Sequence, residues 1–224
     1  MLKADLHTHT YFSPDALTSP EKYVQACRKR RINCVAVTEH NNIAGALAVQ
    51  KIAPFTVIIG EEVRSTEGEI IGLFLHEQVP GGLSPEEAVR RIKDQGGLVV
   101  IPHPFDGFRG HLREEALQRI LPQVDAIEVF NARITYRRDN ERAARFAAEH
   151  GLPASAGSDA HSAWETGRTY VEMAEFQGPR EFLEALRQGR VVGRTSTPLV
   201  HLFSRWAAIR RRLGWRPVAA SSGS

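Results

Sequence analysis

The chain has 224 residues, 42% of them hydrophobic and 25% charged, a balance that excludes a disordered or collagen-like polypeptide and fits one domain with an appendage. No stretch approaches the run of about 20 apolar residues that a membrane-crossing helix needs. The N-terminal MLKADLHTHT lacks the basic-then-apolar layout of a secretion signal. Cys27 and Cys34 form neither a disulfide framework nor a CxxC pair. A soluble cytoplasmic protein is the expectation. The net charge of +3 is unevenly spread, because no acid follows Glu184 whereas eight arginines do. The body therefore has 21 basic against 26 acidic residues and the last forty residues carry +8, so the basic character belongs to a tail and does not mark the domain as a nucleic-acid binder.

Short apolar runs alternate with helical segments along the chain. Residues 2–9 predict a strand. Ser19-Pro20-Glu21 then supplies an N-cap with proline at the first helical position, opening a helix to about Arg31. Residues 33–38 are the next strand, 42–51 the next helix and 55–59 a third strand. After the turn at Ser65-Thr66-Glu67-Gly68 a fourth strand returns over 69–75, so these two are expected to form a hairpin. Ser84-Pro85-Glu86-Glu87 starts a helix by the same proline signal together with a capping-box spacing. The uninterrupted apolar run 98–101 suits a strand buried on both faces. Helix 113–121, strand 125–130, helix 139–150, strand 153–156, strand 169–173 and helix 179–187 keep the rhythm. Such alternation predicts a parallel sheet with helices outside it, and its length fits a small closed barrel. No glycine-rich phosphate loop follows any strand.

The polar residues fall at the strand ends, where the loops of a barrel surround one mouth. The first strand ends in Asp5-Leu6-His7-Thr8-His9, and alternation is expected to put Asp5, His7 and His9 on one face. The following strands end in Thr38-Glu39-His40, Gly60-Glu61-Glu62, Pro102-His103-Pro104 and Gly157-Ser158-Asp159-Ala160-His161. Five of the nine histidines, with at least two carboxylates, thus cap strands at one end. Neutral imidazole with carboxylate suits Mn, Fe, Zn or Ni rather than Ca alone, and the pattern implies a multinuclear metal site.

DLHTHT, TEH, GEE, PHP and GSDAH, in this order, resemble the motifs of the PHP (polymerase and histidinol phosphatase) superfamily over residues 3–195. The resemblance implies an α/β fold, a distorted TIM-like (β/α)7 barrel, holding two or three divalent metal ions (Mn, Zn or Fe) and hydrolysing phosphate esters. Carried over by position, His7, His9, Glu62 and Asp159 would hold one metal, Glu62 would bridge to a second bound by His103, and Asp15 would hold a third with His40 and His161. The family usually places a histidine where this chain has Glu69 in Glu69-Ile70-Ile71-Gly72; glutamate can ligate but changes the charge and metal preference. His76 reads as a surface histidine. Beyond metal-bound water, no catalytic group is assigned.

Arg109, Asn131 and Arg133 lie on rim loops and are the candidates for substrate binding. With no room for a large inserted subdomain, the mouth is expected to be open or covered by a partner chain. Leu202, Trp206, Ile209 and Leu213 recur at helical spacing, predicting an amphipathic helix. That helix reads either as docked on the barrel with its arginines in solvent, the favoured alternative, or as contacting an anionic membrane interface or nucleic-acid backbone. The expected organisation is a metal-binding barrel over 1–197, a basic C-terminal helix over 198–217 and a disordered tail over 218–224. The expected function is phosphoester hydrolysis of a small phosphorylated metabolite or nucleotide by a metal-bound hydroxide. An oligonucleotide-trimming nuclease and a non-catalytic metal-binding barrel are the alternatives, and nucleic acid is the less favoured partner.

Overall fold

The structure is a computed structural model and describes residues 1–108, 110–197 and 199–214; Arg109 and the segment 218–224 lie outside the described residues. Its strands are β1 (Leu2–Thr8), β2 (Cys34–His40), β3 (Thr56–Ser65), β4 (Gly68–Leu73), β5 (Leu98–Ile101), β6 (Ala126–Asn131), β7 (Ala154–Gly157), β8 (Thr169–Met173) and β9 (Arg190–Gly193). The helices are α1 (Pro20–Lys29), α2 (Ala44–Gln50), α3 (Pro85–Asp94), α4 (Glu114–Ile120), α5 (Arg137–Glu149), α6 (Gly178–Arg187) and α7 (Val200–Arg212). Ser19 and Ser84 cap α1 and α3, each Oγ accepting from the amide three residues on, as their sequences require. Among the described residues no helix is long and apolar enough to cross a membrane.

One sheet runs in the order β7-β6-β5-β4-β3-β2-β1-β8-β9. It is mixed rather than parallel throughout: β1–β2–β3 and β5–β6–β7 are parallel, whereas β4 is antiparallel to both its neighbours and β8 and β9 add antiparallel strands beside β1. The tight turn after β3 forces the first reversal, since a parallel partner would need a crossover of a dozen residues or so. The sheet curls into a nearly closed barrel. Its seam is made at the mouth, where Thr8 bridges Ala160 in parallel, Asp159 N donates to His7 O at 2.7 Å and His9 N to Ala160 O at 2.9 Å.

Apolar side chains fill both sides of the sheet. Leu98 and Val100 of β5 face inward with Leu2, Ala4, Leu6, Ala36 and Ile58; Val99 and Ile101 pack outward against Val89, Ile92, Leu117 and Ile120 of the covering helices. This two-sided burial explains why the run reads as continuously apolar. Phe182 of α6 joins the inner cluster, edge-on to Phe74 and Phe176. Cys27 and Cys34 are buried and free, in different clusters.

Helix α7 forms as expected but docks by another face. Val200 and Ala207 are buried, while the stripe Leu202, Trp206, Ile209 and Leu213 points to solvent. Smaller side chains on the docked face allow close approach, and Arg133 anchors it by donating to Val200 O at 3.1 Å and Ser204 Oγ at 2.6 Å.

Candidate metal centre

The strand ends bring five imidazoles and four carboxylates into one cluster. His7 and His9 come from the end of β1 and the residue after it, His40 from β2, Glu62 from β3, Glu69 from β4, His103 follows β5, Asp159 and His161 follow β7, and Asp15 comes from the loop after β1. All but the half-buried Asp15 and His40 are buried. Asp5 does not join them. The pairing of β1 with β2 slips between Asp5 and Thr8, which breaks strict alternation; Asp5 instead accepts from Ser158 N, Ser158 Oγ and Gly167 N at 2.6–2.8 Å.

Glu62 divides its oxygens between two sides of the cluster. Oε1 lies 3.1 Å from His103 Nε2 and 3.5 Å from His7 Nε2; Oε2 lies 3.0 Å from His40 Nδ1 and 3.4 Å from His9 Nε2. Asp159 Oδ1 is 3.6 Å from His7 Nε2, 3.4 Å from His9 Nε2 and 3.4 Å from His161 Nδ1. Asp15 Oδ2 reaches His40 Nε2 at 3.5 Å and His161 Nε2 at 3.3 Å. Glu69, set opposite Arg64 across the hairpin, puts its carboxylate 3.7 Å from His103 and 3.9 Å from His40 while accepting from Arg64 Nε at 3.1 Å.

These donors fit metal ions. Four overlapping triads, His9/His40/His161, His7/Glu62/His103, His7/His9/Asp159 and His40/Glu62/Glu69, each have their ligand atoms within 4.8 Å of one another. Asp15 Oδ1 is buried without a hydrogen-bond partner, a state that is costly unless something else satisfies it. The Nε2 atoms of His7 and His9 face each other at 3.2 Å.

Supporting residues orient the imidazoles. Glu128 Oε1 on β6 accepts from His7 Nδ1 at 3.0 Å, which turns Nε2 toward the cluster as the atom free to ligate a cation, the usual carboxylate–histidine arrangement of metal sites. Its other oxygen accepts from His103 N at 2.8 Å and Asn131 Nδ2 at 3.0 Å. Ser13 does the same for His9: Oγ accepts from Nδ1 at 3.0 Å and donates to Glu39 at 2.5 Å. His161 Nδ1 lies 2.9 Å from Asp159 O and 2.6 Å from Arg133 Nη1, two partners that select opposite tautomers; only the bond to Asp159 O leaves Nε2 bare toward Asp15. His103 and Asp159 hold left-handed backbone, φ 29° and 51°, strain that the surrounding bonds must sustain.

Without cations, charge balance falls on the histidines. Burial alone would lower His40, but Glu62 and Asp15 carry it up to about 10. The same competition, won by Asp159, Glu128 and Glu62, puts His7 well above the ordinary range. Burial, with His161 and His40 alongside, pushes His9 down to about 3. Glu62 would be raised by burial, yet His7 and His40 hold it well below the usual carboxylate value. Burial raises Glu39 to about 7 against the pull of Ser13 and Thr10. Divalent cations suit a site where buried carboxylates otherwise need protonated imidazoles as counterions.

Of the substrate-binding candidates, Asn131 is buried and engaged with Glu128, Asp159 Oδ2 at 3.1 Å and Arg133 N at 2.9 Å, which makes it a support for the cluster. Arg133 lines the cavity above the cluster. That cavity, about 460 Å³, is bounded by the candidate ligands other than His7 and His9, by Arg64 and Phe108, and by His201, Ser204 and Arg205 of α7. The chain's own C-terminal helix thus contributes one wall of the cavity. His76 is exposed, as expected. Glu128, Ser13, Glu39 and Arg64 were not anticipated; an isolated Glu within the apolar AIEVF of β6 was the one available signal.

The family model described as the PHP domain matches residues 5–101, and a PHP-associated model matches 137–191. The uncharacterized protein MJ1587 of Methanocaldococcus jannaschii is 42% identical over 151 residues, covering 62% of this chain and 85% of its own. Among solved structures, a two-domain Bacteroides vulgatus protein containing a predicted PHP-like metal-dependent phosphoesterase superposes with TM-score 0.68 at 23% identity, over 86% of this chain and 65% of that one. The lesion-specific endonuclease PfuEndoQ of Pyrococcus furiosus has TM-score 0.65 at 16% identity, over 85% of this chain and 57% of that one. The present chain thus spans about two thirds or less of these solved proteins.

Proposed function

The chain belongs to the PHP family, and from that premise we propose that it is a metal-dependent phosphoesterase hydrolysing a small phosphorylated metabolite or nucleotide. The observation that carries the proposal is the convergence of His7, His9, His40, His103 and His161 with Asp15, Glu62, Glu69 and Asp159 in one cluster, all but His7 and His9 lining one cavity. In this proposal His7, His9, Glu62 and Asp159 hold one cation, Glu62 and His103 a second with Glu69 beside them, and Asp15, His40 and His161 a third. Divalent ions supply Lewis acidity, which makes water acidic near neutral pH and offsets charge growing on phosphoryl oxygens. Glu128 and Ser13 keep His7 and His9 in the ligating tautomer. Arg64 and Arg205, on the cavity wall, attract an anionic substrate and orient it. Helix α7 and Phe108 shape the cavity wall around the bound substrate.

A cavity of about 460 Å³ lies in the range of small-molecule sites, about 300–1,000 Å³, which favours a metabolite or mononucleotide over a polymer. Oligonucleotide trimming is the competing reading, favoured by the arginines of α7. The test is elemental analysis of the native protein with a phosphate-release screen over monoesters, diesters and short RNA. Hydrolysis of small monoesters, abolished in His9→Ala and Asp159→Ala with the fold retained, is the expected result. Hydrolysis of RNA that collapses with added salt would favour the nuclease. Bound metal without release from any substrate, or full rates in both variants, would refute the assignment.

A further inference from the structure

Helix α7 has two usable faces, and among the described residues only one is occupied. Val200, Ser204 and Ala207 settle on the barrel, with Arg133 bonded to Val200 O and Ser204 Oγ. The opposite face carries a ridge of large apolar side chains, of which Leu202, Trp206 and Ile209 are about half exposed or more, at 61, 49 and 55%, and Leu213 is 82% exposed, while Phe203 beside it packs edge-on against Trp164. At about 100° per residue, Leu202, Trp206, Ile209 and Leu213 fall within one quadrant. Arg205 and Arg212 flank that quadrant on one side and Arg210 on the other, its guanidinium 4.7 Å over the Trp206 ring. A contiguous apolar ridge of this size on a water-facing helix marks an interaction surface.

We propose that this face of α7 lies in the interfacial layer of an anionic lipid membrane, Leu202, Ile209 and Leu213 entering the acyl boundary and Arg210 and Arg212 meeting lipid phosphates. The pattern is that of an interfacial helix: an apolar stripe bordered by arginines, with an indole at the border. Charge decides among occupants. A second copy seated ridge to ridge would set arginines against arginines, and the chain has no acid after Glu184 to answer them. A nucleic-acid backbone would meet the arginines and a base could stack on Trp206, but Leu202, Ile209 and Leu213 would be left in water. An anionic bilayer satisfies both parts of the face. Since the same helix supplies His201, Ser204 and Arg205 to the cavity, docking would set the mouth about one helix diameter, about 10 Å, from the lipid surface. Vesicle binding does not require the metal cluster to be active.

The test uses the full chain with vesicles of phosphatidylcholine alone and of phosphatidylcholine mixed with phosphatidylserine. Cosedimentation with the anionic vesicles, weak on the neutral ones and reduced by salt, is expected. Leu202→Glu with Ile209→Glu should abolish binding while the circular dichroism spectrum is retained. Arg210→Gln and Arg212→Gln, which leave the apolar ridge intact, should each weaken it about fivefold. The proposal is overturned by any of five results. The protein fails to sediment with anionic vesicles, or binds both vesicle types equally. The acidic double variant still binds. Light scattering shows a dimer that the double variant dissolves, or a single-stranded oligonucleotide is bound and anionic vesicles are not.

Discussion

Glu128→Gln isolates the role of a residue that touches no cation in the proposed scheme. One carboxylate oxygen accepts from His7 Nδ1 at 3.0 Å, the other from His103 N at 2.8 Å and Asn131 Nδ2 at 3.0 Å. Glutamine can keep only one of these ends as an acceptor. With its carbonyl toward His103 and Asn131, its NH2 faces His7 Nδ1, and the imidazole must move its proton to Nε2. That is the atom 3.5 Å from Glu62 and 3.6 Å from Asp159, so the lone pair needed by a cation is lost. The reverse orientation sets an NH2 against two donors. Outer-shell changes of this kind lower metal affinity about 10–100-fold, or about 1.4–2.7 kcal/mol. The exchange conserves volume, so the melting temperature of the metal-free protein should move by only about 2–4 °C, the equivalent of about 1 kcal/mol at this chain length. Zinc or manganese competition against a chromogenic chelator measures the affinity. Unchanged affinity in Glu128→Gln would show that His7 does not ligate through Nε2.

Three further outcomes follow from the geometry. Gly157→Ala would build a Cβ 2.3 Å from His7 Cβ and 2.7 Å from His7 N, forcing apart the seam between β1 and β7; denaturant titration should show a loss of about 1–3 kcal/mol or more, accompanied by weaker metal binding. His40, raised to about 10 from 6.5 by Glu62 and Asp15 against the effect of burial, stabilises the metal-free protein fully below pH 6.5, and that stabilisation is lost as pH rises through 10. Metal-free melting temperatures should therefore fall over this window, while metal uptake strengthens and releases protons; a metal-free melting temperature that climbs over it would contradict the charge assignment. Burial pushes the Cys27 and Cys34 thiols up to about 12, so an aromatic disulfide reagent should modify neither in the native protein at mildly alkaline pH and both after unfolding.

The position of the seam explains why the two ends of the chain meet at one site. Asp159 N and His9 N each bond across it, which fixes the HxH and DxH pairs side by side. Asp5, buried and raised to about 6 by desolvation against its bonds to Ser158 and Gly167, fastens the same seam from the other face of β1. Closing the barrel and assembling the candidate metal centre are thus one structural event.

Much of this was legible in the amino-acid order. The HxH and DxH pairs announce ligands because their spacing is local, and LVVI announces a strand buried on both faces because each residue carries its own burial preference. Glu69 could be placed by its position after the hairpin turn, though only the register opposite Arg64 brings it to His103 and His40. Other features needed the folded chain. Glu128, Ser13 and Asn131 act through partners from about 3 to 121 positions away, and a single polar residue in an apolar strand carries no spacing that names its partner. Periodicity found the apolar stripe of α7, but which face docks depends on Arg133, 67 positions from the carbonyl it holds. Hydrophobic pattern ranks the faces of a helix by affinity for any apolar surface; only tertiary contact decides which of them the barrel covers and which is left for something else.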